Sequence, residues 1–156
     1  MLASSELPIV FPEFEYKITQ KDGKLFIFDA IAKKFRALTP EEWVRQHFVH
    51  FLIDQKKYPE TLIAIEKQLT INNLKKRSDI LVFNTDGKPE IIVECKAPRV
   101  KISQSAFDQI ARYNLALKAS CLMVTNGLNH YFCTMDHNLG IYNFFKELPS
   151  YVKKKI

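Results

Sequence analysis

The stretch RSDILVFNTDGKPEIIVECKAP, residues 77–98, holds two short apolar runs, 79–84 (DILVFN) and 90–96 (EIIVECK), around Thr85-Asp86-Gly87-Lys88. Short apolar runs bounded by turn residues read as the two strands of a hairpin. Both runs are apolar on two faces, which marks central strands covered on both sides. Alternate side chains of a strand share a face, so Glu94 and Lys96 point one way and Cys95 the other. Asp79 opens the preceding strand, directly after Lys75-Lys76-Arg77. The hairpin brings it near Glu94. Three charges then meet at one end of an apolar sheet, where burial costs several kcal/mol unless they are paired or hold a metal.

Working outward, residues 61–71 (TLIAIEKQLTI) read as another strand. Before it lies a helix. Thr39 suits the N-cap, Pro40 the first helical position, and Glu42 completes a Thr-x-x-Glu capping box. Val44, Phe48, Phe51 and Leu52 recur at helical spacing, and Pro59 ends the segment. Residues 16–20 and 24–29 flank Lys21-Asp22-Gly23 as a further hairpin. After the central strands, Ser103 caps a helix over about 103–118, with Ile102 stapled onto Phe107. Its inward stripe is Ala106, Phe107, Ile110, Tyr113, Asn114 and Leu117. Strands follow at 120–125, 130–134 and 141–145, the first two separated by an Asn126-Gly127 turn. The class is α/β, an α-β-β-β-α-β core with one mixed central sheet, preceded by a β-hairpin. The expected organisation is a single domain over 1–156, with the hairpin at 14–31, the core at 39–146 and a basic tail at 147–156.

Composition sets the outer bounds. The 156 residues are 47% hydrophobic and 26% charged, which suits a globular chain and not a disordered one. There are only four glycines, and neither Gly23-Lys24 nor Gly87-Lys88 is followed by Ser or Thr, so a Walker-type phosphate loop is excluded. No apolar run is long enough for a membrane span, and the start MLASSELPIVFPEF lacks the basic and apolar regions of a signal peptide. Cys95, Cys121 and Cys133 are an odd count without framework spacing, so free thiols in a cytoplasmic setting are expected. The net charge of +6 favours a polyanionic partner, nucleic acid above all.

The acidic pair points to a chemistry. Two converging carboxylates repel each other. Mg²⁺ or Mn²⁺ relieves the repulsion, taking one or two carboxylates together with phosphate oxygens and waters. Such a cation also activates water and neutralises charge growing on a phosphate. A lysine one pleat along can orient that water or stabilise the phosphate. Together these groups meet the requirements of phosphodiester hydrolysis.

The string at 77–98 resembles the second and third motifs of the PD-(D/E)xK nuclease superfamily, with Asp79 and Glu94-Cys95-Lys96 as the matching residues. More closely, the chain is similar to the N-terminal nuclease domain of type I restriction enzyme R subunits, in a short stand-alone form. LTPEEWVRQHF, AIEKQL, FDQIARYN and LMVTNGL support this over roughly residues 25–146. The resemblance implies that Asp79 and Glu94 are metal ligands and Lys96 the catalytic lysine. It also implies a glutamate from the first helix. Glu41, on the same side as Phe48, is preferred, since Glu42 points away and is claimed by the cap. Gln109 and Tyr113 match a Gln-x-x-x-Tyr element that would position DNA or water. Two departures are visible: Ser78 stands where Pro usually precedes the Asp, and no helicase motor follows, so no nucleoside triphosphate is expected to be used. Duplex DNA is the expected partner, and a homodimer with one site per strand is admitted.

Lys75, Lys76 and Arg77 are expected to steer phosphates, and Arg99, Lys101 and Arg112 are candidates for the same role. Glu66 is read as an exposed strand residue, and Trp43 as a packing residue. His47 and His50 share a helix face but lack a third ligand for zinc. The expected function is therefore a metal-dependent DNA endonuclease of restriction or DNA processing. The alternative is a catalytically silent nuclease fold that binds DNA.

Overall fold

The computed structural model describes residues 11–71 and 74–153, with 67–71 and 74–77 described by backbone alone. The start of the chain, where a signal peptide was discounted, and Lys154-Lys155 of the tail lie outside the described residues.

The chain begins with an antiparallel sheet of β1 (Ile18–Lys21), β2 (Lys24–Asp29) and β3 (Lys34–Ala37). Asp22 and Gly23 both have positive φ, 52° and 76°, which closes the expected hairpin tightly. The third strand was not anticipated. Asp29 makes it possible, because its Oδ1 accepts from the amides of Ile31 and Ala32 and its Oδ2 accepts from Arg36 Nε at 2.6 Å.

Helix α1 (Pro40–His50) follows, and Thr39 Oγ1 accepts from the Glu42 amide as the capping motif requires. The reciprocal half of the box is absent, since the Glu42 side chain turns to Arg45 and Gln46 instead. The helix runs into a π turn (Phe51–Gln55), and a 3-10 turn (Glu60–Leu62) leads into the main sheet.

That sheet has the order β4 (Ile63–Ile71), β5 (Leu74–Phe83), β6 (Pro89–Cys95), β7 (Cys121–Thr125), β8 (His130–Asp136) and β9 (Ile141–Phe145). Every pairing is antiparallel except β6 with β7, which are parallel and joined through α2 (Gln104–Leu117). The expected α-β-β-β-α-β core with a mixed sheet is present. Ser103 caps α2, and Lys118, in the left-handed region, ends it. The Asn114 amide bonds both backbone groups of Ala119, fixing the turn into β7.

Alternation divides the sheet cleanly. Ile80, Val82, Ile91, Val93 and Cys95 pack with Val44, Phe48, Val49 and Leu52 of the first helical segment. Leu81, Ile92, Leu122, Val124 and Cys133 pack with Phe107, Ile110 and Ala111 of α2 on the other face. Trp43 packs against Ile27 and ties the small sheet to α1. The three cysteines are buried and free, as expected. The stretch read as a basic tail is partly anchored: Leu148 is buried, and Tyr58 Oη donates to the Pro149 carbonyl. No helix among the described residues is long and apolar enough to cross a membrane.

His47 is buried between Trp43 and Phe14, and its Nδ1 donates to the Trp43 carbonyl at 2.9 Å. Burial pushes its pKa down to about 4, with the nearby His50 adding to the effect. The unfolded chain takes up this proton near pH 6.5, and the folded chain only near pH 4. Stability is therefore full above about pH 6.5 and falls as pH drops toward 4, by on the order of 3 kcal/mol from this group. His47→Phe keeps the ring packing and removes the proton uptake. Its urea midpoint is expected to fall less than the wild type's between pH 7 and 4.5, and equal falls would refute the assignment.

Candidate active site

Asp79 lies on β5 and Glu94 on β6, near the ends of their apolar runs. The Cys95 amide donates to Asp79 Oδ2 at 2.8 Å, so the strand that carries Glu94 also fixes the aspartate. The two carboxyl groups are electrostatically tied, Asp79 being the charge that most raises Glu94. Lys96 Nζ stands 3.3 Å from Glu94 Oε1, on the same side, as strand alternation requires. Its backbone amide donates to Thr125 O at 2.8 Å, continuing the parallel pairing past the end of β6. Beyond it, Asn126 Nδ2 donates to the Val100 carbonyl, tying the turn after β7 to the loop after Lys96.

Burial and like charge raise the acids together. Glu94 is pushed up to about 7, first by burial and then by Asp79, against the pull of Lys96. Burial also raises Asp79, opposed by the Cys95 amide and by Arg45. Glu41, in the first turn of α1, is raised by burial and by Asp79, and Lys96 and Arg45 oppose this. These groups share one electrostatic environment. Asp79 and Glu41 border an open cavity of about 420 Å³ with Thr39, Glu42, Arg45 and Glu66.

Two expectations are corrected here. Glu66 is not simply exposed. Its carboxylate takes Arg36 Nη1 at 2.8 Å and Arg45 Nη1 at 3.0 Å. A left-handed backbone at Glu66, φ 47°, interrupts the β4–β5 register between Ile65–Ile80 and Lys67–Ser78 and turns the side chain into this cluster. Glu42 does not point away either. It is buried, paired with Arg45 and accepting from Gln46 Nε2 at 2.9 Å, because partners three and four residues on along a helix outcompete the cap. Arg45 is the residue that sequence reasoning missed. Burial works against its charge, and the carboxylates of Glu42 and Glu66 outweigh it and hold its pKa up. The available signals were the Glu42–Arg45 spacing and an acid inside an apolar run.

Gln109 Nε2 donates to Tyr113 Oη at 3.3 Å on an exposed part of α2. Among the described residues, α2 contributes nothing to the cavity lining. Arg99, Lys101 and Arg112 are exposed. Lys75, Lys76 and Arg77 lie on the backbone of β5, and their side chains fall outside the described residues.

No group of three or more His, Cys, Asp or Glu side chains arranged for a metal occurs among the described residues. The chain thus offers the Asp79–Glu94 pair. These are hard oxygen donors with a repulsion that a cation would relieve, which fits Mg²⁺ or Mn²⁺ completed by water and phosphate oxygens.

The family model for the type I restriction enzyme R protein N terminus matches residues 40–149, a span that takes in α1, both acids, Lys96 and α2. The chain belongs to this family. A fragment structure described as an HsdR subunit of a type I restriction enzyme from Vibrio vulnificus YJ016 is similar at a TM-score of 0.53 and 20% identity, covering 72% of this chain and 24% of that one. The chain therefore spans about a quarter of that relative's length. The likeness shows the fold, which is restriction-endonuclease-like. No curated protein matches the sequence. Membership of this family places the chain in a restriction-related group.

Proposed function

We propose that this chain hydrolyses phosphodiester bonds in DNA with the help of a divalent cation. The observation that supports this reading is an open cavity bordered by Asp79 and Glu41, with Glu94 electrostatically tied to Asp79 and raised to about 7, and Lys96 3.3 Å from Glu94. Asp79 and Glu94 would hold Mg²⁺ or Mn²⁺, which when bound supplies a Lewis acid and lowers the pKa of water. The remaining work falls to the chain. The Cys95 amide holds one oxygen of Asp79, so the carboxylate cannot rotate away. Lys96, drawn in by Glu94, is placed to donate to a phosphate oxygen as negative charge grows there. Glu41, whose pKa is raised by burial and by Asp79, would take up a proton at the site. Gln109 and Tyr113 would contact the bound strand away from the reacting group. Arg99, Lys101 and Arg112 would meet phosphates.

A plasmid-nicking assay tests the proposal. Nicking is expected with Mg²⁺ or Mn²⁺, to stop in EDTA, and to fall by about 10²–10³ in Lys96→Ala, the usual loss for one charge-stabilising donor. Equal cleavage by both proteins, or cleavage by neither, would refute it. In the second case salt-dependent DNA binding would leave a silent DNA-binding module.

A further inference from the structure

The register of the main sheet puts a second feature on the face that carries Glu94. Glu94 pairs with Val124, and Val124 with Tyr131. Paired residues share a face, so Tyr131 stands on the Glu94 side, two strand spacings or about 10 Å away. One row along, Cys133 pairs with Phe144, which faces the same way. Tyr131 and Phe144 are 46% and 61% exposed. With Ile102, Ser103, Gln104 and Phe107 they line a groove of about 460 Å³. Nearly buried Phe107 forms its floor, with its ring centroid 5.4 Å from that of Phe144. Lys101, exposed, directly precedes Ile102 at the groove.

Scattered exposed rings are ordinary. Two exposed rings on adjacent strands, backed by a third and flanked by a lysine, form a stacking platform in a chain of net charge +6. A nucleobase brings the flat apolar face, and its phosphate brings the complementary charge. Inside a duplex that face is covered by neighbouring bases, so only an unpaired or extruded base can enter.

We infer that this groove takes an unpaired nucleobase close to the phosphodiester bound at Glu94, so that the substrate is a strand with a local single-stranded element such as a frayed end, a gap or a flap. This inference rests on the nuclease reading and extends it to substrate class.

The test uses the full chain in EDTA, with a single-stranded oligonucleotide carrying a fluorescent adenine analogue and the same sequence as a blunt duplex. The single strand is expected to bind at least about tenfold tighter than the duplex and to quench the analogue. Tyr131→Leu combined with Phe144→Leu is expected to lose about tenfold on the single strand and nothing on the duplex. Tyr131→Phe combined with Phe144→Tyr keeps the rings and is expected to bind like the wild type, which controls for folding. Equal wild-type affinity for the two forms, or unchanged single-strand affinity in the leucine variant, overturns the inference. A dimer in sedimentation that the leucine variant abolishes, with oligonucleotide affinity unchanged, also overturns it, because a second copy then covers the groove. The nicking assay is read separately. Cation-dependent nicking without single-strand preference removes this inference and leaves the nuclease reading standing.

Discussion

Glu94→Gln is expected to raise the melting temperature in EDTA by several degrees while reducing DNA cleavage by at least about a thousandfold. Both effects have one origin. Glu94 sits in a mostly buried place, within reach of Asp79, and is pushed up to about 7 despite Lys96 at 3.3 Å. Its ionised form is therefore disfavoured in the folded chain relative to the unfolded one. Glutamine fills the same volume without the charge. Each kcal/mol recovered raises the melting temperature by about 2–4 °C in a chain of this size. Cleavage is expected to move the other way, because on the proposed reading Glu94 holds the cation, its loss forfeits several kcal/mol of charge stabilisation, and about 1.4 kcal/mol is a factor of ten. Thermal unfolding and nicking on the same preparation give both numbers. A variant that is less stable than the wild type, or that still cleaves, would contradict the assignment of Glu94.

The second large effect lies at Arg45. Arg45→Met is expected to destabilise the fold by about 3–5 kcal/mol, the usual result of removing one partner from a buried ion pair. At about 2–4 °C per kcal/mol, the melting temperature should drop by about 10 °C. Arg45 is 5% exposed and is shared by Glu42 and Glu66. Methionine matches its stem and leaves the buried Glu42 without its cation. Arg45→Lys restores a charge but not the fork that spans two carboxylates, so it should recover only part of the loss. A change below about 2 °C for Arg45→Met would show that water replaces the guanidinium at little cost. Because Arg45 also pulls on Asp79 and Glu41, its loss should raise both carboxyl groups further.

What could be read from the sequence was local. The β5–β6 turn announced itself through Thr85-Asp86-Gly87-Lys88, and in the structure Asn84, read as the end of the strand, joins it, its Oδ1 accepting from the amides of Asp86 and Lys88. Thr39 and Ser103 cap their helices as the pattern requires. The pairing of Glu94 with Lys96 followed from alternation alone. What could not be read was non-local. β3 is only four residues long and mostly exposed, too short for its alternation to register. Glu66 is itself the left-handed residue that breaks the period of its strand, and its two arginines come from β3 and α1. The Tyr131–Phe144 groove depends on the register of β8 with β9, which no single segment encodes.

The lone parallel pairing in the sheet sets an order of assembly. Asp79 and Glu94 meet across a tight turn, a contact the chain can make as soon as that hairpin has been synthesised. Lys96 is different, because its amide is held by Thr125, which the chain reaches only after α2 and β7. Closing so long a loop is slow compared with zipping a hairpin. In a growing chain the two acids can therefore meet early, while the strand end that carries Lys96 is anchored only when the sheet is nearly finished.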